Sequence, residues 1–195
     1  MRKLDREEQR EAIATVAAQL IADLGVKQVT IQQIAAAFGG TKGKVLHYFD
    51  SKEEIIEAAF AWANRRGMER LEEFWNFDPN NAKLDLSNIS NLLPLDPQTD
   101  LEWRVHLHYW EYALTDSSMR DHHFERVSGQ LNNVVELVEK FQKNNLVRSD
   151  VSAEEIAYTT FDSMNGLGFS LLYYPMRKRA ERISIFVDYV KGLMV

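Results

Sequence analysis

Apolar residues return every three to four positions along almost the whole chain, the period of an α-helix with one buried face. Ile13, Val16, Ala17, Leu20, Ile21 and Leu24 mark the first such face, and Gly25 ends it. A second helix begins at Thr30, where Thr30 and Gln33 have the spacing of a capping box, and carries Ile34, Ala35 and Phe38 inward. Gly39 and Gly40 stop it, and a short third helix over 41–48 follows with Val45 and Phe49 facing in. Ser51 and Glu54 form a second capping box. They open a long fourth helix running towards Phe77, with Ile55, Ala59, Trp62, Met68, Leu71 and Trp75 available for burial. DPNN breaks that helix. A weaker helix is expected over about 82–93, then one over 100–114, a long one over about 119–144, one capped by Ser152 and running to about Tyr174, and a last over about 177–194. The pattern predicts about nine helices, few strand signals and an all-α fold.

The stretch from Thr30 to Lys52 has the layout of a helix-turn-helix: a capped helix, a glycine turn and a second short helix rich in donor side chains. Thr41, Lys42, Lys44, His47 and Tyr48 are candidates for its exposed face. Lys52 falls in the first turn of the fourth helix, beside backbone N–H groups that suit a phosphate oxygen. Charge supports this placement. The chain carries −6 overall, yet residues 1–52 hold 8 basic against 6 acidic side chains, which leaves the remainder at −8. Only the N-terminal part suits a polyanion. This divides the chain into a DNA-reading domain of residues 1–52 and a larger domain of residues 53–195.

These residues resemble the TetR/AcrR family of transcriptional regulators. The likeness rests on the leading amphipathic helix, on VTIQQIAAAFG, on the small-residue turn and on HYFDSKEEII. It implies that Lys42, Lys44, Tyr48 and Lys52 meet phosphates, while Thr30, Gln32, Gln33, Thr41 and His47 lie nearer the base edges. Leu46 stands where many members carry a phosphate-touching tyrosine, so the aromatic role passes to His47 and Tyr48 and Leu46 is read as packing. The second half is similar to the C-terminal domain of the BetI branch, through HYWEYALTDSSMRDHHFER and QKNNLVRSDVSAEEIAYTTFDSMNGLGFSLL. Asn165 takes a place where an acidic residue is common. The resemblance implies a homodimer that binds a double-stranded operator and answers to a small-molecule effector.

Two features of the larger domain bear on those roles. Ile183, Phe186, Val187 and Val190 form one stripe, and Met164, Gly168 and Leu171 continue another on the preceding helix, which is expected as the dimer interface. Glycines at 166 and 168 cost about 1 kcal/mol each in a helix and are easier to account for where another backbone comes close. The domain is also rich in aromatics. Most of these are core, but a pocket lined by Trp62, Trp103, His106, Trp110, Phe161 and Asn165 is expected, with Phe74 and Trp75 nearby. Rings beside Glu102, Glu111 and Asp162 give a weak preference for a cationic ligand.

Other chemistry is not supported. GGTKGK lacks the first glycine and the Ser or Thr of a phosphate-binding loop, and no strand precedes it. His106 and His108 are two apart and His122 and His123 adjacent, neither being the i, i+4 spacing of a helical metal pair. The chain has no cysteine and no G-x-S-x-G elbow. No cofactor, no membrane span and no signal peptide are expected, and a cytoplasmic location follows. The alternatives to a ligand-controlled repressor are an enzyme or carrier using the aromatic cavity, and an adaptor of the same fold without DNA binding.

Overall fold

The computed structural model describes residues 3–75 and 86–195, with side chains from 5–71 and 88–195. Eight α-helices account for most of it: α1 (Lys3–Leu24), α2 (Ile31–Ala37), α3 (Lys42–Leu46), α4 (Lys52–Trp75), α5 (Pro97–Thr115), α6 (Ser117–Lys143), α7 (Ala153–Leu171) and α8 (Arg179–Lys191). Two short 3₁₀ segments, Leu86–Leu92 and Met176–Lys178, precede α5 and α8. The β-type pairing among the described residues is one isolated antiparallel bridge, Val147 with Met194. The side chains of Phe74 and Trp75, the DPNN break and the first residues of the helix expected from Ala82 lie outside the described residues.

Local chemistry explains where most elements begin. Thr30 Oγ1 accepts from Gln33 N at 3.2 Å while Gln33 Oε1 accepts from Thr30 N at 2.8 Å, closing the expected capping box. At the other end of α2, Gly39 takes φ +75° and donates to Ala36 O, and Gly40 donates to Ala35 O. That pair of bonds is a Schellman stop, and its left-handed residue has no Cβ to pay for it. The second expected box differs in detail. Ser51 Oγ accepts from Glu54 N, but Glu54 reaches back to Asp50 N at 2.7 Å, one residue earlier, and also takes Arg10 at 2.7 Å.

Three boundaries depart from the sequence pattern. Helix α5 starts at Pro97, not at Asp100, because Asp96 caps it and proline at the first helical position lacks an N–H that would be unbonded anyway. Asp116 likewise caps α6 two residues before the expected start. Where the weak helix was expected, Leu86–Leu92 is 3₁₀, in a stretch whose Ser and Asn residues are poor helix formers and which Pro94 follows.

Helix α1 packs on both α4 and α5. One continuous core takes Ile13, Ala17 and Ile21 from α1, Val45 and Phe49 from the α3 region, Ile55, Ala59 and Ala63 from α4, and Val105 and Tyr109 from α5. Two further clusters lie beyond it, one around Leu93, Trp103, Leu171 and α8, the other around Val138, Phe141, Ile156 and Val147. An arginine–carboxylate chain ties the layers. Arg104 holds Ala22 O at 3.1 Å and Asp23 at 2.9 Å on α1, and also Asp100 at 3.0 Å; Asp100 in turn takes the buried Arg179 at 2.5 Å.

Candidate nucleic-acid interface and ligand cavity

The turn between α2 and α3 fixes which side chains leave the surface. Gln32, Thr41, Lys42, Lys44, Leu46 and His47 are all exposed. Thr41 caps α3, its Oγ1 accepting from Lys44 N at 3.2 Å, which places Lys42 and Lys44 in the first turn of a helix that points outward. Lys44 Nζ also sits 4.8 Å from the centre of the Phe38 ring. Thr30 and Gln33 are exposed, but the Thr30 hydroxyl and the Gln33 carbonyl are spent on the cap, so they position α2 before they can touch anything else.

Two of the expected contacts need correction. Tyr48 is only 6% exposed and belongs to the core, its ring edge-on to His47 at 5.1 Å and its carbonyl receiving Arg10. Buried in that way it anchors the end of α3 and does not reach out to a phosphate. Leu46, read as packing, is 38% exposed on the outer side of α3. Val45 and Phe49 take the inward positions of this short helix, which leaves Leu46, one residue round from Val45, on its outer side. Lys52 Nζ donates to Val26 O at 2.8 Å, which pins the α1–α2 loop to the start of α4 and leaves two ammonium protons for another acceptor.

Helices α4, α5, α6 and α7 enclose a cavity of about 220 Å³, closed at one end by Leu193 and Met194. Trp103, His106, Trp110, Phe161 and Asn165 line it, as does Met164. Trp62 does not: it packs in the N-terminal core with Arg66 over its ring at 5.3 Å, about 100° round α4 from the wall formed by Ala63, Gly67 and Leu71. The lining is mostly apolar. Its polar members were invisible to periodicity, because Arg70, Arg126, Gln130 and Thr160 read as ordinary helix-surface residues and His123 as one of a surface pair.

Those polar groups are largely bonded to one another. Tyr109 Oη donates to Glu57 at 2.5 Å and Arg126 donates to the other Glu57 oxygen at 2.9 Å, which joins α4, α5 and α6. Burial, with Glu57 beside it, raises the Tyr109 hydroxyl well above its ordinary range. Glu102 takes Arg66 and Gln98 on one oxygen, both at 3.0 Å, and Arg70 on the other. Burial pushes His106 down to about 4, with His123, Arg70 and Arg126 adding to the effect, and burial also lowers His123. Both imidazoles are therefore neutral at neutral pH.

The expected dimer stripe also moves. Leu171, Ile183, Val187 and Val190 are buried within the single chain, and Met164 and Val190 face the cavity. Gly168 makes room for Trp103, since a Cβ there would lie 2.2 Å from the indole. Most of that stripe is therefore inward-facing in the single chain, and of its residues only Phe186 also lines the outward groove. The outward face of α7 and α8 carries instead Thr159, Ser163, Leu167, Arg182, Ile185 and Tyr189, with Phe186 at its floor. Ile185 is 67% exposed and Tyr189 43%.

Comparison with known proteins agrees with this architecture. Residues 13–59 match the model of bacterial regulatory proteins of the tetR family, and residues 87–194 match that of the BetI-type transcriptional repressor C-terminal domain. Over all 195 residues the chain is 20% identical to the HTH-type transcriptional regulator PksA of Bacillus subtilis (strain 168), covering 94% of that protein. A transcriptional regulator from Saccharomonospora viridis, solved in complex with choline, superposes with a TM-score of 0.77 at 22% identity over 97% of this chain and 99% of its own. SmeT, the repressor of the Stenotrophomonas maltophilia multidrug efflux pump SmeDEF, gives 0.70 at 17% identity over 95% and 90%. Likenesses at this identity establish a shared fold. The C-terminal model alone spans more than half of the chain, and with the helix-turn-helix match ahead of it this protein belongs to the TetR family of transcriptional regulators, with a C-terminal domain of the BetI type.

Proposed function

We propose that the protein is a ligand-responsive repressor that grips a two-fold operator as a homodimer and lets go when a small molecule fills the cavity. It acts in the cytoplasm, where chromosomal DNA is accessible. The observation that carries this reading is α4: one unbroken helix begins at Lys52 against the reading head and forms a cavity wall from Phe60 to Leu71. A tilt of α4 imposed by a ligand therefore moves α2 and α3. Residues 1–52 do the reading, and residues 53–195 bind the effector and the second subunit.

Lys42, Lys44 and Lys52 supply phosphate contacts, with Gln32, Thr41 and His47 at the base edges. Outward basic groups on α3 favour this over an adaptor that has lost DNA binding, and the chain is a regulator and not an enzyme. Two recognition helices of a dimer must sit about 34–36 Å apart to enter successive major grooves. A ligand that prefers another spacing releases the DNA, whereas one with equal affinity for both spacings does nothing.

Genomic fragments captured by the purified protein define the operator. Effectors that release it should then bind more weakly in its presence, by the same factor by which they weaken operator binding. Identical effector affinity with and without operator, for a molecule shown to occupy the cavity, rules this mechanism out.

A further inference from the structure

Three residues of the cavity lining each carry a buried polar atom with no hydrogen-bond partner in the protein: Arg70 Nε, His123 Nδ1 and Thr160 Oγ1. Leaving such groups unbonded is costly, so they mark where a ligand's own polar atoms belong. Arg70 Nε–H can only donate, and Thr160 can donate. The site asks for an acceptor.

Charge does not oppose an acceptor. Around the cavity, among the described residues, Arg66, Arg70 and Arg126 face Glu57, Glu102 and Asp96, three against three, and each carboxylate there already has an arginine beside it. Glu102 already accepts from Arg66, Gln98 and Arg70, so its charge is offset by two arginines before any cation arrives. Ring faces are occupied too. Arg126 lies 4.7 Å from the centre of Phe60 and 5.7 Å from that of Tyr109, and Trp103 and Trp110 pack edge-on to Phe169 at 5.3 and 4.8 Å. An ammonium ligand would find no carboxylate whose charge is not already offset by arginine, and Arg126 already lies beside the Phe60 and Tyr109 rings. The cation preference suggested by Glu102, Glu111 and Asp162 fails here, since Glu111 and Asp162 are exposed.

The remaining wall, with Val134, Leu137, Phe141, Leu193 and Met194, is apolar. Phe60, which touches the His123 ring, and Arg70 are ten residues apart on α4, about 15 Å along its axis. The cavity is thus long, with Arg70 at one level, Arg126 over Phe60 at the other, and apolar side chains making up most of the remaining lining. We propose, resting on the effector reading above, that this cavity takes a small hydrophobic carboxylic acid as its anion, with the carboxylate on Arg70 and the hydrocarbon or aromatic body among the aliphatic side chains. Glu102 and Arg66 hold the Arg70 guanidinium in place, and Thr160 and His123 serve further polar atoms along the ligand.

The test uses octanoate and phenylacetate, their primary amides and choline, titrated into the full-length protein while tryptophan fluorescence is followed, since Trp103 and Trp110 line the cavity. Each acid should bind at least tenfold more tightly than its amide, and choline should not compete. Arg70→Gln should abolish the preference for acid over amide while leaving amide binding in place, which also shows that the variant is folded. In Thr160→Val, which removes an unbonded buried hydroxyl, the unliganded protein should melt no lower than wild type. Acids that fail to bind, amides or choline that bind as tightly as the acids, or an acid preference that survives in Arg70→Gln would overturn the assignment. Operator affinity measured alongside separates the two readings. Acid binding without operator release would sink the effector role and keep the ligand class, whereas operator release by choline or an amide alone would do the reverse.

Discussion

Lys42 and Lys44 each bring one positive charge to an exposed turn of α3, and Lys52 brings a third that already holds Val26 O. A lysine on a phosphate displaces condensed counterions, so its removal is read most directly in the salt dependence of binding. Lys42→Ala and Lys44→Ala should each weaken binding to any duplex alike and reduce the slope of log affinity against log salt by about 0.9. Fluorescence anisotropy with a random-sequence duplex across salt concentrations checks this, and an unchanged slope would remove that lysine from the interface. Single residues were unevenly legible in the sequence. Thr30, Gln33 and Thr41 announce their caps because a cap is a local event, completed within four residues. Tyr48 and Leu46 do not show which of them is buried, because that depends on where a helix of five residues stops and on Arg10, which arrives from α1.

At the scale of the element, the approach of α5 to α7 turns on one side chain against one missing one. Trp103 lies over Gly168, with three of its ring carbons less than 3 Å from where a Cβ would be, and its Nε1 donates to Leu92 O at 2.7 Å, so the indole has little room to retreat. Gly168→Ala should therefore cost about 1–3 kcal/mol as an overpacked contact. The melting temperature should fall by about 2–4 °C for each kcal/mol. The loss should largely vanish in a Trp103→Leu background, where the clash has no partner. Equal melting temperatures for the wild type and Gly168→Ala would mean that the helices slide freely. Eight of the nine expected helices, and their order, were legible from periodicity because most amphipathic faces are long, whereas the weak one expected over 82–93 is 3₁₀ in its described part. What periodicity could not separate is a face turned to the chain's own core from one turned to a second subunit, since both are apolar at the same spacing. That ambiguity put Ile183, Val187 and Val190 in the interface, whereas the outward residues Ile185, Tyr189 and Leu167 are spaced too loosely to stand out.

For the whole molecule, the proposed two-fold operator calls for a second subunit, and we propose the exposed apolar surface of α7 and α8 as its place. Ile185→Glu and Tyr189→Glu change side chains that are exposed in the single chain, so the fold of each protomer should persist, with unchanged helical circular dichroism. A charge buried against a partner is costly, and sedimentation at micromolar concentration should show monomers where the wild type is dimeric. Dimers that survive both substitutions would place the contact elsewhere. The cavity was legible only in part. Its aromatic members stand out by size, but its arginines, His123 and Thr160 come from α4, α6 and α7 and are brought together by packing that no local pattern encodes.

The core around α1 is built from Ile55, Ile56, Ala59, Phe60 and Ala63 of α4 and Val105, Tyr109 and Ala113 of α5 as much as from the reading head itself. The head is therefore not an interchangeable part. Exchanging operator specificity between relatives by cutting the chain after α3 would set a foreign α1 against a surface shaped for this one, and leave methyl-sized mismatches in a close-packed interior. A transplant that respects the packing has to carry the first three turns of α4 and the facing strip of α5 along with it. On the proposed reading, operator specificity and effector response are coupled through that shared strip, and the exposed positions of α3, which the core does not constrain, are where specificity can change without disturbing it.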